Sequence, residues 1–87
     1  MYVLIVYDAA VERVTKVHKC LKRFLHWRQN SVFEGELTEA QIETVKSDLQ
    51  KIIDDKTDSV LIYIARDAKW LKRESLGKEK STTDNLL

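Results

Sequence analysis

The run Tyr2-Val3-Leu4-Ile5-Val6-Tyr7 is unbroken by charge and stops on a carboxylate, Asp8. Short runs of β-branched and aromatic residues form strands. Strand side chains alternate between faces, so Val3, Ile5 and Tyr7 point one way and Tyr2, Leu4, Val6 and Asp8 the other. Both faces are apolar and both need cover. A second run, Val60 to Ala65, makes the same demand. With 87 residues, the chain has material for one domain. A domain of that size buries only ~60–65% of its unfolded surface, so a second copy is a natural source of cover.

The residues between the two strands divide into helical and β-type patterns. Val11, Val14, Val17, His18, Leu21, Phe24 and Leu25 recur at spacings of three and four, the mark of an amphipathic helix. Its opposite face gathers Lys16, Lys19 and Arg23. His18 lies within the apolar stripe and reads as a packed histidine, while His26, at the helix end, has no partner in the sequence. From Trp27 to Leu37 the pattern is β-type, either one bent strand or a very short hairpin, and Gly35 permits a bulge, bend or reversal. Thr38-Glu39-Ala40-Gln41 is a capping box that opens a second helix, with Ile42, Val45, Leu49, Ile52 and Ile53 on its apolar face. Asp54 to Asp58 reads as a polar loop at the end of that helix rather than a metal site. After Val60 to Ala65 come a turn at Arg66 to Ala68, an apolar anchor at Trp70 and Leu71, and a short strand over Arg73 to Leu76.

This order predicts an α+β fold, a ferredoxin-like sandwich (β-α-β-β-α-β) with an extra C-terminal strand. Residues 1–80 form its single domain, and residues 81–87 are a tail that docks on a partner. Helices on one face leave the other sheet face bare, so a two-fold dimer packed through the sheets is expected. Charge is segregated. From Ala9 to Phe33 six basic residues meet one acid, a net of +5, whereas from Glu34 to Asp58 eight acids meet three lysines, a net of −5. The basic lobe can hold phosphate backbones, although charge on a helix face is also simply what a solvated surface carries. Cys20, the single cysteine, excludes an intrachain disulfide and a cysteine-rich zinc site, and suits a reducing cytoplasm. No apolar run approaches the ~20 residues that cross a bilayer, so no membrane association is expected.

The residues Val3-Leu4-Ile5-Val6-Tyr7-Asp8, the basic first helix, the stretch Gln29-Asn30-Ser31-Val32-Phe33-Glu34-Gly35-Glu36-Leu37 and the late Leu76-Gly77-Lys78-Glu79 stand in an order and spacing that resembles the CRISPR-associated protein 2 family. The resemblance implies a homodimer in which two Asp8 carboxylates face each other and bind one Mg²⁺ or Mn²⁺, making Asp8 both metal ligand and catalytic residue. It implies action in spacer acquisition: binding duplex DNA, bridging dimers of the CRISPR-associated integrase, and metal-dependent endonuclease activity on RNA or DNA. Arg13, Lys16, Lys19, Arg23 and Arg28 are the expected phosphate contacts, and Ser31 and Phe33 match positions linked to activity. Phe33 reads equally well as plain core. The alternative is a structural scaffold without nuclease activity. A small ligand-binding regulatory dimer finds little support in a chain with two glycines.

Overall fold

The structure, a computed structural model, describes residues 1–78. Its elements are β1 (Tyr2–Asp8), α1 (Val11–Lys22), β2 (His26–Gln29), β3 (Val32–Glu36), α2 (Glu39–Ile52), β4 (Ser59–Ala65) and a 3₁₀ turn at Ala68–Trp70. The four strands form one antiparallel sheet in the order β2-β3-β1-β4. This is the expected ferredoxin-like order, with the two-faced β1 in the interior. Val3, Ile5 and Tyr7 are buried under the helices with Val17, Leu21, Phe33, Leu37, Ile42, Val45 and Leu49. On the other face Leu4 and Val6 are half-buried, and on β4 Leu61 and Tyr63 are 55% and 54% exposed. One face of the sheet is thus finished within the chain and the other is not.

The helices follow their sequence patterns with instructive exceptions. Thr38 caps α2 reciprocally: the Gln41 N–H donates to Thr38 Oγ1 at 3.1 Å and the Thr38 N–H to Gln41 Oε1 at 2.9 Å. In α1 the buried residues are Val17, Cys20 and Leu21. Val11, the first residue of the helix, stands 87% exposed. Ala10, the residue before α1, offers no side-chain cap. Its N–H instead donates to Asp58 Oδ1 at 2.9 Å, so the helix start is capped from a distant loop.

The β-type stretch resolves into a hairpin. Asn30, at φ 44°, makes the turn, and the Trp27 indole N–H closes it on the Asn30 carbonyl at 3.0 Å. The bulge falls between Trp27 and Gln29, not at Gly35. Gly35 pairs with Val3, and a Cβ there would come within 3.2 Å of Leu25 Cδ2; its service is to let Leu25 close on the sheet. The strand expected over Arg73 to Leu76 is not formed in the single chain. Instead residues 71–75 border a cavity of about 320 Å³ with Leu4, Arg28, Val32 and Glu34 on the open face, and Arg73 forms an ion pair with Glu34. The tail expectation at 81–87 lies outside the described residues.

Candidate functional site

Asp8 ends β1 opposite Ser59 of β4. It is exposed, and strand alternation puts it on the open face in line with Tyr2, Leu4 and Val6. The adjoining Tyr7 N–H donates to the Ser31 carbonyl at 3.1 Å, which draws the β2–β3 turn to the same end of the sheet. Burial pushes the Tyr7 phenol above its ordinary pKa, against a hydrogen bond with the Ser31 side chain. Ser31 is therefore brought beside the Asp8 end of the strand.

Phe33 is fully buried. Its ring stacks on Tyr7 with centroids 6.3 Å apart and receives the His18 edge at 5.0 Å. A ring so enclosed has no exposed surface to offer a substrate.

The five expected basic residues separate into four environments. Lys16 and Lys19 stand exposed on the outer side of α1. Arg23, at the end of α1, bonds Asp48 of α2 at 2.9 Å and lies 5.3 Å over the Phe24 ring. Arg28 is on the sheet's open face, where its Nε–H donates to Glu34 Oε1 at 2.8 Å, so it does not join the α1 stripe. Arg13 turns inward: its Nε–H donates to Asp58 Oδ2 at 2.5 Å and an Nη2–H to Thr57 Oγ1 at 3.1 Å.

Two buried carboxylates, Glu34 and Asp58, escape sequence reasoning. Glu34 accepts the Tyr2 hydroxyl at 2.8 Å as well as Arg28 and Arg73. Asp58 is held well below the usual carboxylate range, chiefly by the Arg13 guanidinium and then by the Asp54 N–H. In sequence Asp58 looks like the last member of a solvated acidic run. Its partner Arg13 is 45 residues away, and no local spacing announces the pair.

Divalent Mg²⁺ or Mn²⁺ takes oxygen ligands and keeps several waters, a chemistry that an exposed carboxylate at a strand end fits. Among the described residues no group of three or more His, Cys, Asp or Glu is placed to hold a metal within one chain. Asp8 alone offers such an ion one carboxylate. Also among the described residues, no helix is long and apolar enough to cross a membrane.

The family model described as CRISPR associated protein Cas2 matches residues 1–73. The chain is 51% identical to a protein of Pyrococcus furiosus and 48% identical to one of Methanosarcina acetivorans, each over 100% of both chains. Both relatives bear the name CRISPR-associated endoribonuclease Cas2. Among solved structures, one titled as a crystal structure of cas2 superposes with a TM-score of 0.85 at 52% identity, covering 93% of this chain and 91% of the other. Streptococcus pyogenes Cas2 superposes at 0.76 with 36% identity, covering 88% and 100%.

Proposed function

Because this chain belongs to the CRISPR associated protein Cas2 family, we propose that it works in the cytoplasm as a two-fold dimer in CRISPR spacer acquisition, with a metal-dependent endonuclease centre at its paired Asp8 residues. The observation that carries the reading is the position of Asp8. It lies at the end of the same open face that exposes Leu61 and Tyr63, so packing that covers the apolar part of the face can bring two Asp8 carboxylates together. Two adjacent carboxylates repel, and a cation between them relieves the repulsion. Asp8 and its symmetry mate would hold Mg²⁺ or Mn²⁺, which when bound can activate water toward a phosphodiester. RNA is the first substrate to test, since the relatives are named endoribonucleases.

A second reading is favoured by α1. Lys16 and Lys19 face solvent there, and charges so placed bind a duplex by its backbone without regard to sequence. On this reading the protein holds duplex DNA and bridges integrase dimers, with Asp8 dispensable. Arg23 and Arg28 join the lysines only where a phosphate competes with Asp48 or Glu34.

Cleavage of labelled single-stranded RNA and duplex DNA, with Mg²⁺ or Mn²⁺ and beside Asp8→Ala, separates the readings. Metal-dependent cleavage lost in Asp8→Ala is the expected result. Cleavage that persists in the variant would reject Asp8 as the centre. Duplex binding without cleavage by either protein would favour the bridge.

A further inference from the structure

Asp58 lies immediately before β4, with a side chain wholly out of solvent. Its Oδ1 accepts the Ala10 N–H at 2.9 Å and an Arg13 Nη2–H at 3.1 Å; its Oδ2 accepts the Asp54 N–H at 2.9 Å and the Arg13 Nε–H at 2.5 Å. These donors come from the β1–α1 turn, from α1 and from the α2–β4 loop. A carboxylate offers about four lone-pair sites, and here they are filled.

That junction adjoins Asp8 on both sides. Ser59, the next residue after Asp58, is the ladder partner of Asp8, and Ala10 follows Asp8 by two residues. Neither Ala9 nor Ala10 has a side chain that can fix the turn, and α1 has no side-chain cap of its own. Asp58 is the group that ties this turn down. A buried ion pair offers little net stability over a well-packed apolar substitute, so its service here is sought in the position it imposes.

We propose that Asp58, oriented by Arg13, is a positioning residue for Asp8, fixing the Asp8-Ala9-Ala10 turn so that the Asp8 carboxylate is presented as a metal ligand. The inference rests on the reading of Asp8 given above. It also gives Arg13 a role different from that of the solvent-facing lysines. Groups that orient a ligand from behind typically govern metal affinity by about 10- to 100-fold.

The test is titration of the full-length chain with Mn²⁺ alone, following the paramagnetic resonance signal of the free ion, beside circular dichroism, size-exclusion chromatography and amide exchange. In Asp58→Asn one carboxylate oxygen becomes an NH₂ facing N–H donors. Folding and association should persist while Mn²⁺ binds about 10-fold more weakly and the Ala10 amide exchanges faster. Arg13→Gln, which leaves both backbone amides bonded to Asp58, should weaken Mn²⁺ binding less, and Arg13→Lys should recover part of that loss. Loss of stability alone would not produce that order under conditions where every variant is folded. Wild-type affinity in folded Asp58→Asn would overturn the inference. Should Asp58→Asn not fold, wild-type affinity in Arg13→Gln would overturn it instead. Mn²⁺ binding lost in Asp8→Asn but kept in Asp58→Asn removes this inference alone. Binding indifferent to Asp8→Asn removes the Asp8 reading, and this one with it.

Discussion

His18 shows how a single side chain ties the fold to pH. Its ring packs edge-on against Phe33 and against Trp27, 6.1 Å away. Burial, helped by Lys22, pulls its pKa below the ordinary 6.5. The unfolded chain therefore takes up this proton first, and stability falls as pH drops below that value. Asp58 has the same sign of dependence at lower pH: its depressed pKa contributes stability above the ordinary 3.8, and that contribution fades only in stronger acid. Between pH 7 and 5 the two are separable. We expect the melting temperature to fall across that interval and to fall less in His18→Gln; an equal slope in both would assign the effect to another group. The apolar stripe of α1 already marked His18 as packed, and the strand end marked Asp8. Glu34 and Asp58 were hidden because an acid's burial depends on donors supplied by distant parts of the chain. Phe33 illustrates the converse: of its two readings, activity-linked position and plain core, the buried ring fits the second.

Among the elements, α2 was the most legible, because cap and apolar spacing both lie within its own residues. The Thr38 cap is local, and so should be the effect of losing it. Thr38→Ala is expected to cost about 1 kcal/mol, seen as a lower urea midpoint with an unchanged slope. A changed slope would mean that the loss spreads beyond the helix start. The hairpin was legible as β structure but not in its turn or bulge, since Asn30 could have been read as an ordinary strand residue. The segment after β4 was least legible. A short strand was expected over Arg73 to Leu76, yet a strand needs a free edge in register, and within one chain residues 71–75 meet the open face instead.

At the scale of the whole molecule, the fold has one finished face and one that invites a second copy. Leu61 and Tyr63 contribute nothing to the buried core, so charge can be placed there without emptying it. The pair Leu61→Asp and Tyr63→Asp is expected to give a folded monomer by size-exclusion chromatography with light scattering, with β-sheet circular dichroism retained. A dimer that survives both changes would place the two-fold contact elsewhere. The element order announced this unfinished face, because two strands apolar on both sides cannot be covered by two helices on one side. The interior place of β1 also bears on synthesis. It is translated before both of its ladder partners, Val32–Glu36 and Ser59–Ala65. During elongation this apolar strand waits without its second neighbour until β4 has left the ribosome. Completion of the sheet is thereby deferred until β4 emerges, and chains that stall before it present a sticky, unpaired edge.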